Sequence, residues 1–301
     1  MRDTATVTAA GGGAGENSPR SLVFDVFGEY VRTDTGYITL QALSRLLEPF
    51  DVPPDSLRVL MSRLRREGWF ETVKSGRMSL YLPSERGWSL LDEGYARIMG
   101  GPHDRWSGDW HMVIFSVPET ERATRARLRK RLTWLGFGPL APSTWISPRD
   151  RLAEATEILA AEPDVQYDRL VARSLSPRED RDRAARCWDL DTLAAGYRDY
   201  IDRWESALER LRTDPPPPPR AFVVRTRVIH EYRKFLFLDP DLPARLLPRD
   251  WPASRAHGLM LEVFATLRDA ARRHYRQVTS DMPAPGHGGP ATPVRPLPRL
   301  P

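Results

Sequence analysis

The stretch Asp51–Leu82, DVPPDSLRVLMSRLRREGWFETVKSGRMSLYL, decides how the first third of this chain is read. Pro53 and Pro54 end whatever precedes them, and Asp55 or Ser56 is placed to cap a new helix. Leu57, Leu60, Met61 and Leu64 then recur at i, i+3, i+4 and i+7, so at about 100° per residue they share one arc. Ser62 and Arg66 lie opposite that arc, flanked by Arg58, Arg63 and Arg65. Gly68 is a helix stop. After it, Trp69–Val73 and Met78–Leu82 read as two short strands joined by the turn Lys74-Ser75-Gly76-Arg77. A rod with one oily side and one side of hydroxyls and guanidiniums suits the DNA major groove. There Arg pairs bidentately with guanine and Ser bonds bases or phosphates. Lys74 and Arg77 at the hairpin are placed to meet a phosphate or enter the minor groove. A lone helix of this kind is ordinarily a solvated basic face; helix, turn, helix and charged hairpin in succession favour DNA. The expected DNA-facing set is Ser56, Arg58, Ser62, Arg63, Arg65, Arg66, Lys74 and Arg77.

Two helices precede this stretch. Ser18-Pro19 is a cap with proline in the first turn, followed by Leu22, Val23, Val26, Phe27, Tyr30 and Val31 at helical spacing. Thr39–Phe50 repeats the pattern with Leu40, Leu43, Leu46 and Leu47, and Pro83 opens a further helix to about Met99. Next comes an α/β block with strand His111–Val117, basic helix Glu119–Leu135, strand Leu140–Ile146, helix Arg151–Ala161 and strand Gln166–Ala172. This β-α-β-α-β order, with room for one more strand, predicts a small ferredoxin-like module. The last block is helical: Asp180–Leu211, with an interruption near Gly196, then Ala221–Leu238 and Ser254–Val278. Five prolines, Pro215–Pro219, read as a stiff spacer. The expected class is α+β multidomain: a disordered arm (1–17), a winged helix-turn-helix (18–100), a central ferredoxin-like α/β domain (101–175), a C-terminal helical domain (176–279) and a disordered tail (280–301).

Composition sets the outer limits. The 301 residues are 41% hydrophobic and 28% charged, enough apolar mass for real cores and too much for wholesale disorder. The longest purely apolar runs, such as Met112–Phe115, are far below the ~20 residues of a membrane helix. Residues 1–17 hold no apolar core of a secretory signal, so the expectation is a cytoplasmic protein without a membrane partner. One cysteine, Cys187, excludes an internal disulfide framework and a Cys-cluster zinc site. Net charge is +5, and only three of the 45 cationic residues are lysines (Lys74, Lys130 and Lys234). Much of that bias fits a GC-rich genome, although arginine's planar fork also suits phosphate and guanine.

Signals for catalysis are weak. His103, His111, His230, His257 and His274 show no metal-ligand spacing, and Gly11–Gly15 lacks the flanking strand and Lys-Ser/Thr of a phosphate loop. No cofactor, metal or catalytic residue is expected. Arg122, Arg125, Arg127, Arg129, Lys130 and Arg131 on the basic helix read as an anion surface or, by default, as a solvated face. Trp106, Trp110, Trp134 and Trp145 read most simply as packing, with an aryl pocket as the alternative.

Three stretches carry a family resemblance. Asp51–Leu82 resembles the N-terminal winged helix of the PaaX family, bacterial regulators of phenylacetate catabolism. WSGDWHMVIFSVPETERATRARLRKRLTWLGFGPLAPSTWISP (Trp106–Pro148) is similar to that family's central domain, and HEYRKFLFLDPDLPARLLPRDWP (His230–Pro252) to its C-terminal domain. The chain departs from the family at Ala253, where Gly usually follows Trp-Pro. The resemblance implies a homodimeric repressor on double-stranded operator DNA, released by an acyl-CoA effector, typically phenylacetyl-CoA. His230, Tyr232, Arg233 and Trp251 would form the effector site, with Arg233 on a phosphate and Tyr232 or Trp251 stacking on a ring. Alternatively these residues clamp the Asp-Pro turn, with Arg233 on Asp239 or Asp241. The competing function is a nucleic-acid-processing enzyme built on the ferredoxin-like module. Against it, the first strand ends Phe115-Ser116-Val117-Pro118 without the Asp that holds a metal in some small nucleases of that fold.

Overall fold

Pro53 and Pro54 shape the start of the helix that the rest of the N-terminal region supports. In a computed structural model describing residues 18–100 and 106–283, α3 spans Pro54–Arg66. Pro53 is the capping residue and no side chain caps the helix, so Asp55 and Ser56 lie inside its first turn rather than ahead of it. Proline in a first turn loses no intrahelical bond, because those N–H groups have no partner anyway. Leu57, Leu60, Met61 and Leu64 are buried, as their spacing predicts. Gly68 takes φ +77°, the left-handed conformation of a helix stop.

Residue contacts group the chain into two units. The first comprises residues 18–99, 209–231 and 262–283 of the described chain, and the second 106–208 and 232–261 together with Gly100. The helical third block contributes to both. The proposed arm (1–17) and most of the tail (284–301), with His103 and Gly11–Gly15, lie outside the described residues.

In the first unit, α1 (Pro19–Glu29), α2 (Leu40–Leu47) and α3 pack together, followed by the hairpin β2 (Phe70–Ser75) and β3 (Met78–Pro83) and then α4 (Glu85–Gly100). Thr39 caps α2 through a bond from the Ala42 N–H to its Oγ1 (3.2 Å). A two-residue strand β1 (Ile38–Thr39), too short to be read from periodicity, pairs antiparallel with β3 and gives the sheet order β1-β3-β2. The predicted turn Lys74–Arg77 is shorter than expected. Ser75 pairs with Met78, leaving Gly76 (φ +57°) and Arg77 as the tip and placing Lys74 within β2. Helix α2 ends at Leu47 because Pro49 tightens the chain into a 3-10 turn, Glu48–Phe50.

The second unit holds β4 (Trp110–Ser116), α5 (Arg122–Trp134), β5 (Gly138–Ala141), β6 (Thr144–Ser147), α6 (Leu152–Ala160) and β7 (Gln166–Ala172). The single strand expected over Leu140–Ile146 is a hairpin, because Pro142 interrupts the ladder and the register slips between Pro139 and Ala141. This supplies the fourth strand of an all-antiparallel sheet ordered β5-β6-β4-β7. One face buries Val113, Phe115 and Trp145 with Leu128, Leu132 and Ile158 of the two helices. The other buries Trp110 and Ile146 beneath Ala184, Cys187, Leu242 and Leu246.

The long helices predicted for the last block are each broken. Asp180–Leu211 is α7 (Pro177–Cys187) and α8 (Leu190–Thr213), parted at Trp188 rather than Gly196. Trp188 is extended (φ −134°, ψ 142°), and its ring packs on Gly138 and stacks near Trp110, which a helical backbone there would prevent. Asp189 recaps the chain by accepting from the Thr192 N–H (3.1 Å). Pro218 and Pro219 form the first turn of α9 (Pro218–Tyr232), so only Pro215–Pro217 remain as spacer. Arg233-Lys234 separates α9 from α10 (Phe235–Leu238), and buried Leu267 separates α11 (Ala253–Thr266) from α12 (Arg268–Thr279).

Candidate nucleic-acid interface

The buried arc of α3 dictates what its other side presents. Ser56, Arg58, Ser62, Arg63, Arg65 and Arg66 are all exposed, as are Lys74 and Arg77 on the hairpin. Some of these cations are engaged. Arg58 pairs with Asp55 (3.1 Å), Arg63 lies 3.6 Å from Glu67, and Lys74 donates across the hairpin to Ser79 Oγ (3.0 Å). Among the described residues, the side chains of Arg65, Arg66 and Arg77 have no hydrogen-bond or ion-pair partner. These exposed pairs contribute about 0–1 kcal/mol each, so they do not withhold the arginines from a polyanion.

The C-terminal end of α3 is clamped from three sides. Arg20 of α1 donates to Glu67 Oε2 (2.8 Å), and the Trp69 indole donates to the same oxygen (3.1 Å). The Arg20 hydrogen bond holds the Glu67 carboxyl below the usual carboxylate range. Arg86 of α4 donates to the Glu67 carbonyl (3.1 Å) while its guanidinium lies 3.9 Å from the Trp69 ring centre. Ser84 Oγ donates to the Gly68 carbonyl (2.6 Å). The helix is therefore held by its base and its last turn, and the arginine face is left to solvent.

A buried polar layer ties α1 to the later helices of the same unit. His230 Nδ1 lies 2.7 Å from Asp25 Oδ2, and the Arg225 fork reaches Glu29 (3.4 Å) and the Phe264 carbonyl (3.1 Å). Burial outweighs the Arg225 charge and lifts the Glu29 carboxyl to about 6. His230, expected in an effector site, is thus taken up by α1. Its signal was long-range and invisible in sequence.

The other expected effector residues lie in the second unit. Tyr232 is 4% exposed, with its ring against Tyr200, Phe235 and His257. Trp251 meets Tyr197 edge-on at 6.2 Å. The Asp-Pro-Asp turn that follows is held by residues the sequence did not point to. The Tyr197 hydroxyl donates to Asp239 Oδ2 (2.8 Å), and the Arg149 Nη2 donates to the Asp241 carbonyl (3.0 Å). Asp239 also accepts from the Asp241 N–H (2.7 Å), which fixes the left-handed Asp241 (φ 53°), while burial raises its carboxyl above the ordinary range.

On α5, Arg127 pairs with Glu162 (2.8 Å) and Arg125 donates to the Val117 carbonyl (3.0 Å), while Arg122, Lys130 and Arg131 are exposed. Trp110 and Trp145 are core residues, but Trp134 is 57% exposed, so packing does not account for it. Burial raises the Cys187 thiol to about 11. No group of three or more His, Cys, Asp or Glu among the described residues is placed to hold a metal ion. No described helix is long and apolar enough to cross a membrane.

Three domain models of one family match in order along the chain. Residues 18–87 match the PaaX-like protein model, 103–184 the PaaX protein central Cas2-like domain, and 188–277 the PaaX-like protein C-terminal domain. The chain belongs to the PaaX-like family. A curated relative, "Transcriptional repressor PaaX" of Escherichia coli (strain K12), is 29% identical over 279 residues, covering 89% of this chain and 88% of that one. The curated relative of this PaaX-like chain is thus named as a transcriptional regulator, not as an enzyme. Among solved structures, an uncharacterised Mycobacterium tuberculosis protein, Rv0674, shares the fold with a TM-score of 0.53 at 24% identity, over 85% of this chain and 98% of that one.

Proposed function

We propose that this chain is a dimeric transcriptional repressor that grips operator DNA through a winged helix-turn-helix and releases it on binding an aryl-CoA such as phenylacetyl-CoA. The observation that carries this reading is the outer face of α3, where Arg65 and Arg66 stand exposed on a helix anchored by four buried apolar residues. The β1-β3-β2 sheet following three helices supports residues 18–100 as a winged helix, with the Gly76-Arg77 tip as its wing. The β-α-β-β-α-β order and antiparallel β5-β6-β4-β7 sheet support a ferredoxin-like centre over 101–175. Residues 176–279 then form the effector and dimerisation domain, in which Tyr232, Arg233 and Trp251 are the proposed aryl-CoA contacts. The repressor name of the Escherichia coli relative supports both operator binding and repression. Cytoplasm is the compartment where such an operator lies.

The test is a binding titration of the full chain on a duplex recovered by in vitro selection from a random pool. Arg66→Ala is expected to weaken binding and to flatten the log-affinity versus log-salt slope by about one unit, the loss of one phosphate contact. Arg58→Ala or Arg65→Ala is expected to cost about 1–3 kcal/mol and relax base preference where either reads guanine. Unchanged affinity and slope in all three variants would reject α3 as the recognition element. In the same titration, phenylacetyl-CoA is expected to lower affinity and free CoA to leave it unchanged. An effector shifts the equilibrium only through its preference for the conformation that does not hold DNA. A panel of acyl-CoAs that neither bind nor alter affinity would remove the sensing half of the proposal.

A further inference from the structure

The outer face of α3 carries one residue that fits neither its neighbours nor the fold. Val59 is 71% exposed, the most exposed large apolar side chain among the described residues of the first unit. On the helix it sits among Asp55 and Ser56 one turn before it and Ser62 and Arg63 one turn after, with Arg66 two turns on. It lies about 150° from the centre of the buried arc at 100° per residue, so it contributes nothing to the core. A β-branched side chain is also a poorer helix former than Ala, Lys or Glu at a solvated position. Isolated exposed apolar residues are common and by themselves mean little. Here the distribution is the argument. Among the described residues of the first unit, the exposed large apolar side chains are Val59 and Met78. One lies on α3 and the other beside the hairpin tip, adjoining Arg77. No other large apolar side chain among the described residues of the unit is exposed, and these two stand beside its exposed arginines.

We infer that Val59 is a base-reading residue whose methyl groups pack against the C5-methyl of a thymine in the major groove. The inference rests on the proposed entry of α3 into DNA. Thymine is the base that presents a methyl group on the major-groove edge, and an apolar side chain is the group that discriminates it without a hydrogen bond. The surrounding arginines and serines position the helix on phosphates and polar base edges. Val59 lies between Arg63 and Arg66 on one side and Asp55 and Ser56 on the other, at the centre of the surface a groove would cover.

The experiment uses the full chain and the tightest duplex recovered from a random pool by the unaltered protein. Each thymine is replaced singly by deoxyuridine, which removes only the C5-methyl, and affinity is measured for the unaltered chain and for Val59→Ala at one salt concentration. Losing one buried methyl contact is worth roughly a three- to five-fold drop in affinity. That drop is expected at a defined thymine for the unaltered chain and is expected to vanish in Val59→Ala. Val59→Ala should fold normally, since it improves helix propensity at an exposed site, and its circular dichroism and thermal midpoint check this. The inference is overturned if no thymine shows the penalty, or if Val59→Ala keeps the same penalty at the same base. If the unaltered chain enriches no sequence over the random pool, the DNA-binding reading itself fails, an outcome distinct from the loss of the methyl contact.

Discussion

Arg225→Ala is expected to destabilise the first unit by about 3–5 kcal/mol, the cost of stripping a buried ion pair of one partner. Arg225 is 3% exposed on α9, its guanidinium stacks 3.4 Å from the Phe264 ring centre, and it bonds the Phe264 carbonyl and the Glu29 carboxylate. Removing it opens a cavity and leaves Glu29 buried beside Asp25, one turn away on the same helix, without the opposing charge. Urea unfolding of the full chain, with hydrogen exchange to localise the loss to α1 and α9, measures the effect. The deficit depends on pH in a fixed direction. Glu29 titrates at about 6 in the folded chain, above its value of 4.5 when solvated. The folded state thus binds the extra proton between those values, and the contribution of this group to stability falls as pH rises through that window. Without Arg225 the folded value climbs further. The variant should therefore be most impaired near pH 7–8 and recover part of the loss toward pH 5. A variant with unfolding indistinguishable from the parent at pH 7 would show that this polar layer is not holding α1 in place.

Gly87→Ala carries the next largest effect, about 3 kcal/mol, with loss of DNA binding following from it. A Cβ at Gly87 would lie 2.2 Å from the Trp69 carbonyl oxygen and 3.1 Å from Pro83 Cβ. Backbone cannot yield as a flexible side chain does, so α4 must move away from Trp69, at an overpacking cost in the upper part of the usual range. Trp69 follows the Gly68 stop of α3 and its N–H donates to the Leu64 carbonyl (3.0 Å), while its own carbonyl accepts from the Ser84 N–H (3.1 Å), so the shift loosens the clamp on the arginine-bearing helix. Gly94→Ala on the same helix is the control. A Cβ there meets nothing within 4 Å, and the exchange should stabilise by about 0.5–1 kcal/mol through helix propensity alone. Thermal midpoints of the two variants should move in opposite directions; a Gly87→Ala midpoint equal to the parent's would refute the close approach.

The features read correctly from sequence are those whose cause lies within one turn or one hairpin. Leu57, Leu60, Met61 and Leu64 share an arc because their spacing is helical, and an apolar arc has one stable place to go. Gly68 stops α3 because its positive φ costs a glycine little. The same logic failed in the last block. The expected helices ran through Trp188 and Leu267, where the chain breaks: Trp188 turns extended, half-buried and stacked near Trp110, and Leu267 is buried. Val59 stands out only in the structure, where its exposure contrasts with the burial of Leu57, Leu60, Met61 and Leu64 on the same helix. His230 shows what sequence alone does not reveal: it sits in the motif that resembles the family's C-terminal domain, and its partner Asp25 lies 205 residues away in sequence.

Local periodicity, turn-forming residues and charge placement were therefore sufficient to reveal a helix with an arginine face, the hairpin beside it and the individual strands and helices of the α/β centre, because each element is set by interactions a few residues long. Which polar groups are consumed inside the structure, where the long helices break and what clamps α3 in place depended on contacts between residues as many as 243 positions apart. Such contacts form only once the chain has collapsed. Their energies come from desolvation and close packing, which no short window of residues encodes.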